Sequence, residues 1–191
     1  MRGYFGIGAE GINKTMNVGN LFRTAHAFGA SFVFTVAATY AREEGAKSDT
    51  SDSLGHVPFY SFPDIQTIQL PEKCALVGIE LTPDAVELPS FHHPSQAAYV
   101  LGPERGSISA SLTERCDHII KIPTAFCVNV GIAGAIVMYD RIKSLGKFPR
   151  RPARPGGPSR FDALPAHQHG EQVIRSKMAA FRDTPPEGYN D

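Results

Sequence analysis

Hydrophobic positions along the first part of the chain predict a strand, a helix and a second strand. Tyr4–Ile7 is a short apolar run. Between residues 13 and 30, apolar side chains then recur every three or four positions, at Val18, Leu21, Phe22, Ala25 and Phe28. That spacing is typical of an amphipathic helix, with Asn17 placed to cap its start and Gly29 to end it. Ser31–Val36, which follows, is β-branched and aromatic and predicts a strand.

Three later apolar runs predict further strands. They are Cys74–Leu81, Ala97–Leu101 and Ile119–Ile122. Pro123 closes the third, because proline has no N–H for a strand ladder. Weaker patterns indicate a short strand at Val57–Phe59 and a helical turn at Pro63–Gln69. Strands that alternate with helices predict an α/β fold, with a mostly parallel sheet flanked by helices.

Two more helices are expected around the last strand. Ser109 is placed to cap a short helix over Ala110–Cys116. The helix after Asn129 is rich in small residues, which are Gly131, Ala133, Gly134 and Ala135. Glycine costs about 1 kcal/mol in a helix interior relative to alanine. Two glycines in one turn indicate that something lies close to this backbone, either the sheet or a ligand.

Three loops follow predicted strands and define a candidate ligand edge. They begin near Leu81, at Gly102 and at Thr124. In parallel α/β sheets, ligands bind outside the carboxyl ends of the strands. Glu104 lies between two glycines of the second loop, where it is either a partner for a ligand or a solvated turn residue.

The segment Gly6–Gly11 reads GIGAEG and formally matches the dinucleotide motif G-x-G-x-x-G. The strand before it is very short, no helix pattern opens at its end, and no acidic residue follows at the required distance. We therefore interpret it as a flexible loop. A nucleotide-cofactor enzyme of Rossmann type, which would bind NAD, is retained only as a third alternative.

Composition bounds the class of protein. The chain has 191 residues, 42% of them hydrophobic, with 19 basic and 19 acidic side chains, so any nucleic-acid footprint must be local. Three cysteines without a CxxC pair indicate reduced thiols in a cytoplasmic protein. No apolar run is long enough for a membrane span and no signal peptide is recognisable. Adjacent His92 and His93 lack spaced partners, so we expect surface or packing residues and no metal site.

The C-terminal region has a different composition and predicts a tail. Domain boundaries are placed at residues 1–146 for the folded domain and 147–191 for the tail. Ser144–Arg160 holds five basic residues, several prolines and no acid, which indicates extended or disordered chain. It is either a phosphate-binding arm or a solubilising linker. Glu171–Phe181 has the pattern of one more short helix.

Three stretches together resemble the motifs of the SPOUT superfamily, in its SpoU (TrmH-like) branch of RNA ribose 2′-O-methyltransferases. The first is NVGNLFRTAHAFGA, which begins at Asn17 and resembles an N-x-G-x-x-x-R-[ST] pattern. The second is YVLGPERGSIS at Tyr99–Ser109, built around G-x-E. The third is IKIPTAFCVNVGIAGAIVMYDR, which ends at Arg141. Their order and spacing extend over about two-thirds of the chain.

The resemblance implies a C-terminal deep trefoil knot, a feature nearly absent among proteins. It also implies a homodimer with the active site near the subunit interface, and S-adenosylmethionine (SAM) bound in the knot loops. By position in the motifs, the residues expected to contact SAM are Leu81, Gly102, Ile122 and Cys127. Many family members have serine where this chain has Cys127, so we expect its contact to be made by backbone, or the thiol to be a small buried hydrophobe.

The catalytic set implied by the resemblance is Arg23, with Asn17, Glu104 and Asn129 as supporting polar residues. In the family, the arginine that matches Arg23 is assigned to activation of the ribose hydroxyl. An arginine has a pKa above 12 and is a poor base. We therefore expect Arg23 to act with a substrate phosphate, through paired hydrogen bonds that position and polarise the hydroxyl.

The function expected from the resemblance is SAM-dependent methylation of RNA at the ribose 2′-oxygen. Because the first motif begins by Asn17, the compact plan favours tRNA as the substrate, with rRNA as the alternative. A second class is a non-catalytic SAM- or RNA-binding knot protein. The joint presence of Asn17, Arg23, Glu104 and Asn129 argues against it. The identity of the target nucleotide does not follow from the sequence.

Overall fold

The computed structural model describes residues 3–39 and 56–157. The strands within them are β1 Phe5–Glu10, β2 Phe32–Val36, β3 Phe59–Phe62, β4 Ala75–Ile79, β5 Val86–Glu87, β6 Ala97–Leu101 and β7 His118–Lys121. The helices are α1 Thr15–Ala27, α2 Ala110–Arg115 and α3 Val130–Leu145, with a 3-10 turn at Leu88–Ser90.

The seven strands of the described residues form one sheet in the order β3-β2-β1-β6-β4-β7-β5. All of the neighbouring strands run parallel. Ile7 in β1 pairs with Val33 on one side and with Tyr99 on the other. The prediction of a parallel α/β sheet is confirmed, and β6 has the bounds that the sequence predicts.

Side chains alternate along the central strands and supply two apolar layers. On one face Ile7, Val77 and Tyr99 pack with residues of α1 and α3. On the other face Phe34 and Val100 pack with Leu112 of α2. The period of two along a strand explains how one buried strand serves both layers. Both faces of the sheet are therefore covered, as is usual for parallel sheets.

Helix α3 approaches helix α1 at its two glycines. A Cβ at Gly134 would lie 2.4 Å from the Leu21 Cδ1, and one at Gly131 would lie 3.3 Å from the Asn20 Cβ. The two glycines therefore admit helix α1 most closely, while the sheet residues Ile7 and Leu101 lie at ordinary contact distance from a Cβ at position 134, at 3.4 and 3.9 Å. The expectation of a close neighbour is confirmed, but that neighbour is α1.

The glycines of the first strand are explained by the aromatic residues of β2. Gly6 and Gly8 lie in β1, which is buried along its whole length. A Cβ at Gly8 would lie 2.3 Å from the Phe34 carbonyl oxygen, and one at Gly6 would lie 2.2 Å from the Phe32 ring. The interpretation of this segment as a flexible loop is wrong. A buried strand also cannot serve as a phosphate-binding loop, so the Rossmann alternative loses its only support.

Helix ends confirm two caps and correct a third. Ser109 accepts a hydrogen bond from the Leu112 N–H at 3.2 Å and caps α2. Gly29 has φ +72° and ends α1 as predicted. Asn17 is not the N-cap of α1, however. The helix begins at Thr15, Lys14 is the cap residue, and Asn17 lies buried in the first turn.

In the middle of the chain, the observed elements differ from those that the sequence predicts. The strand expected at Val57–Phe59 is instead β3, which begins at Phe59. Pro63–Gln69 forms bends and a turn rather than a helical turn, and a hydrogen bond from the Thr67 N–H to the Asp64 carboxylate, 2.9 Å long, closes it. The edge strand β5 was not predicted, because its two residues are too few to produce a periodic signal.

The chain divides into two compact units, Met1–Phe148 and Pro149–Asp191. Residues 147–157 have no helix or strand and are exposed. The helix predicted at Glu171–Phe181 lies outside the described residues, and the tail boundary at residue 147 stays a prediction. Among the described residues, no helix combines the length and the apolar character needed to cross a membrane.

A buried polar cluster fixes the amino-terminal edge of the sheet. Arg141 of α3 is 4% exposed and donates to the Pro94 and Ser95 carbonyls at 2.6 and 2.9 Å. It also donates to the Tyr99 hydroxyl at 3.1 Å. His93, buried as well, bridges that hydroxyl at 2.6 Å and Asp140 at 3.1 Å. His93 is thus a packing residue, and burial lowers its pKa despite the Asp140 carboxylate.

Replacing Gly8 by alanine should destabilise the fold more than the same change at Gly134. The new methyl group at position 8 meets the backbone of β2, which cannot move alone, so we expect a loss of at least about 2 kcal/mol. At position 134 it meets the flexible end of Leu21, and the better helix propensity of alanine, about 1 kcal/mol, offsets the strain. Urea unfolding of the two variants measures both losses. Equal losses, or a larger one at Gly134, would contradict this account.

Candidate active site

The carboxyl ends of β6, β4 and β7 lie side by side and open into a cleft. All four residues predicted to contact a cofactor line it. These are Leu81, Gly102, Ile122 and Cys127. The structure therefore brings this predicted set together.

The walls of the cleft are mainly apolar, with backbone groups at the loops. Ile79, Leu101 and Val128 contribute side chains beside the four predicted residues. A Cβ at Gly102 would lie 3.0 Å from the Ile108 amide nitrogen. The loop is therefore packed closely there, and glycine leaves its backbone open to a ligand. A flat apolar group with polar edges suits such walls.

Glu80 shapes the cleft without being predicted. Its carboxylate accepts hydrogen bonds from the Ile108 N–H at 2.8 Å and from the Leu81 N–H at 2.9 Å. Glu10, at the end of β1, accepts one from the Ser109 N–H at 2.8 Å. Both carboxylates fix the loop after β6. Glu80 has a signal in the sequence, an acidic residue at the carboxyl end of a predicted strand, whereas Glu10 falls in the segment that the sequence predicts as a loop.

Cys127 is exposed to the cleft. The alternative that it is a small buried hydrophobe is therefore wrong. The other two cysteines, Cys74 and Cys116, are unpaired and half-buried. Burial, with the Asp117 carboxylate nearby, raises the pKa of the Cys116 thiol to about 12, so that thiol is unreactive.

Glu104 ties the loop after β6 to the start of α1. Its Oε1 accepts from the Lys14 N–H at 3.0 Å and from the Asn17 Nδ2 at 3.1 Å. Its Oε2 accepts from the Asn13 N–H at 3.2 Å. Two of these donors are backbone amides at the entry to α1, of Asn13 and of the cap residue Lys14, and the third is the side-chain amide of Asn17. Glu104 therefore holds the chain at the entry to α1, and Asn17, which the sequence predicts as the cap, binds it from inside the first turn.

Asn17 carries the connection on to α3. Its Oδ1 accepts a hydrogen bond from the Asn129 Nδ2 at 3.0 Å. Asn129 in turn caps α3, since its Oδ1 accepts from the Gly131 N–H at 2.9 Å. A continuous chain of hydrogen bonds thus runs through Glu104, Asn17 and Asn129. The structure places these three predicted residues in contact, and we call them the amide–carboxylate chain.

The pKa of Glu104 lies below its ordinary value. Burial pushes the pKa upward, but the hydrogen bonds from Asn17 and from the backbone N–H groups of Glu104, Lys14 and Asn13 outweigh that effect. The carboxylate is therefore ionised at neutral pH. It accepts hydrogen bonds and is not a proton donor.

Arg23 lies apart from the amide–carboxylate chain. It follows Asn17 by six residues on α1, about 9 Å along the helix axis, and its side chain is exposed. Asn20, exposed as well, precedes it by one turn. The structure thus brings together three of the four predicted catalytic residues and places the fourth on the outer surface of the same helix.

Fold and site together define an α/β domain with a ligand cleft at the carboxyl edge of a parallel sheet. The model of the SpoU rRNA Methylase family matches residues 5–139. The chain therefore belongs to the SpoU methylase family.

Two solved structures share this fold. One is the SpoU methyltransferase AviRb from Streptomyces viridochromogenes, with a TM-score of 0.66 and 20% identity. The match covers 74% of this chain and 60% of AviRb. The second structure concerns the 2-OH methylation of C/U34 on tRNA, with a TM-score of 0.63 and 18% identity. It covers 75% of this chain and 91% of that protein.

Among relatives in sequence, the mouse tRNA (guanosine(18)-2'-O)-methyltransferase TARBP1 is 25% identical over 137 residues, which are 68% of this chain. An uncharacterized tRNA/rRNA methyltransferase from Archaeoglobus fulgidus is 25% identical over 142 residues, or 72% of this chain. The matched part is 9% of the mouse protein and 63% of the archaeal one.

Substitution of Glu104 by glutamine should destabilise the protein in a pH-dependent way. Because the folded state holds the pKa of Glu104 below its unfolded value, the carboxylate stabilises the fold at neutral pH and loses that effect as pH falls. The stability difference between wild type and Glu104→Gln should be largest near pH 7 and should narrow below about pH 5.

Denaturant unfolding between pH 7 and pH 3 measures this difference. Glu114→Gln, at an exposed position of α2, is the matched control and should follow the wild type throughout. A difference between Glu104→Gln and wild type that stays constant with pH would mean that the charge of Glu104 is unimportant.

Proposed function

We propose that the protein is a SAM-dependent methyltransferase that acts on the ribose 2′-hydroxyl of RNA. One observation carries the proposal. The cleft lined by Leu81, Gly102, Ile122 and Cys127 lies beside the amide–carboxylate chain, since Glu104 and Gly102 belong to the same short loop. Membership of the SpoU methylase family supports the same reaction class.

The residues of the cleft fit the cofactor. Apolar walls from Leu81 and Ile122 suit an adenine ring, and the open backbone at Gly102 and Cys127 suits its polar edge. When bound, SAM supplies an electrophilic methyl group, whose transfer to the ribose oxygen breaks the methyl carbon–sulfur bond and leaves the electron pair on sulfur. One structural neighbour is AviRb in complex with AdoMet, at a TM-score of 0.65.

The amide–carboxylate chain holds the frame of the site. Glu104 fixes the first turn of α1 against the loop after β6, and Asn129 fixes the start of α3 against Asn17. The hydroxyl and the methyl group must meet in line, and orientation of this kind supplies a large part of the rate. We assign these residues to positioning.

Arg23 has the role of polarising the nucleophile. Its guanidinium would form paired hydrogen bonds with a phosphate of the RNA, and the two groups together would orient the 2′-hydroxyl and assist loss of its proton to solvent. The exposure of Arg23 suits contact with a macromolecular substrate. tRNA is the substrate we favour, and rRNA is the alternative.

Arg23→Ala should lower methyl transfer by at least about 100-fold, the cost typical of a lost donor to the reacting group. Arg23→Lys should recover little of it, because an ammonium cannot form the paired contact. Transfer of labelled methyl from SAM to total tRNA, and separately to rRNA, measures activity. Resistance of the labelled position to alkaline cleavage identifies the 2′-oxygen. Lys73→Asn, at the opposite edge of the sheet, removes one charge as the control.

Each outcome of that assay is informative. Label in rRNA alone would retain the reaction and overturn the choice of tRNA. Bound SAM without transfer to either RNA would favour the non-catalytic binding protein. Full activity of Arg23→Lys would show that paired hydrogen bonds are unnecessary.

We also propose the trefoil knot and the homodimer. The chain passes from α2 on one face of the sheet through β7 to α3 on the other, a route compatible with a knot around the cleft. An experimental trace of residues 102–145 tests the threading. The dimer is supported by an apolar stripe on α3, where Ile132 and Tyr139 are 55% and 54% exposed and Ile136 lies between them.

Ile132→Arg should convert the dimer into a monomer, because it places a charge within the α3 stripe. Light scattering measures the mass. Val86→Arg, at an exposed apolar position of the edge strand β5, is the control and should stay dimeric. A monomeric wild type, or a dimeric Ile132→Arg, would count against the α3 interface.

A further inference from the structure

An exposed aromatic side chain stands at the rim of the cleft. Phe126 is 78% exposed, more than any other large apolar residue among those that the structure describes. A single exposed apolar residue needs no explanation by itself. The position of Phe126 does need an explanation, because Thr124, two residues before it, and Cys127, directly after it, line the cleft.

The backbone around Phe126 is fixed. The Thr124 N–H donates to the Ile122 carbonyl at 2.8 Å, and the Thr124 hydroxyl donates to the Phe126 carbonyl at 2.9 Å. Three residues later, Asn129 caps α3 and joins the amide–carboxylate chain. A closed turn thus fixes the backbone of Phe126 beside the cleft, close in sequence to that chain, and leaves its ring exposed.

This position matters for an RNA substrate. The reacting hydroxyl must reach the space between the cleft and the amide–carboxylate chain. Its base is attached to the neighbouring carbon of the same ribose, so the base must lie at the rim. Enzymes that do chemistry on a base take it out of its stack, and a ribose hydroxyl drawn into a cleft carries its base with it in the same way. An aromatic side chain replaces the lost stacking with about 1–3 kcal/mol per base.

We propose that Phe126 stacks on the base of the target nucleotide and holds it at the rim of the cleft. The inference rests on the proposed function. The contact depends on an aromatic surface and not on hydrogen-bonding edges, so it is independent of the identity of the base. Phe126 is therefore a substrate-binding residue, and base selectivity comes from elsewhere in the RNA.

Three variants separate stacking from other roles. Phe126→Tyr keeps an aromatic ring, Phe126→Leu keeps apolar area without a ring, and Phe126→Ala removes both. Stacking predicts that the alanine and leucine variants raise the Kd and the KM for RNA by about ten-fold, while Phe126→Tyr stays within about two-fold of wild type. The affinity for SAM and the oligomeric mass should be unchanged in all three. Tyr60→Leu, an exposed aromatic position on β3, is the matched control.

The measurements are RNA binding by fluorescence anisotropy with the SAM analogue sinefungin present, SAM binding by calorimetry, mass by light scattering and methyl transfer kinetics. The probe RNA is whichever of total tRNA or total rRNA accepts the methyl group. If neither accepts it, both are used as probes. RNA affinity of Phe126→Leu equal to that of Phe126→Tyr would overturn stacking, and a changed mass would mean that a second copy of the chain covers the ring. RNA binding without transfer by wild type contradicts the proposed function alone, whereas absence of RNA binding overturns both proposals.

Discussion

The site depends on one carboxylate that joins three separate parts of the chain. Glu104 accepts hydrogen bonds from two backbone amides at the start of α1 and from Asn17, which in turn accepts one from Asn129 at the start of α3. Asn17 and Glu104 are 87 positions apart in the sequence, and Asn17 and Asn129 are 112 positions apart. Their contact therefore requires that the loop after β6 and both helices be in place together.

Close packing of the two helices makes this contact possible. The Asn17–Asn129 hydrogen bond is 3.0 Å long, which requires the first turns of α1 and α3 to approach closely. Gly131 and Gly134 permit that approach, since a Cβ at either would press on α1. The cost of two glycines in a helix, about 1 kcal/mol each, is thus a consequence of site geometry.

Much of the fold followed from the pattern of apolar residues, because strands such as β6 bury continuous runs and helices such as α2 have local caps. The cleft also followed, since the carboxyl ends of parallel strands meet at one edge. Local pattern failed where a distant residue decides. At Gly8 the backbone of Phe34 leaves no room for a side chain, and Asn17 binds Glu104 from within the first turn of α1 instead of capping the helix. The buried cluster of Arg141, Tyr99 and His93 was missed for the same reason, because its members are distant in the sequence.

The two ends of α3 have different roles, and this difference explains the position of the buried polar cluster. At its start Asn129 belongs to the open site, whereas near its end Arg141 donates to the loops before β1 and β6, including the Tyr4 carbonyl at 3.2 Å. Buried charge is expensive unless its hydrogen bonds are satisfied, so Arg141 tolerates only one placement of the helix. A slide of α3 along its axis would break those bonds first. The closed edge of the sheet thereby fixes the register of the helix at the open edge, where Asn129 and Phe126 must keep their positions.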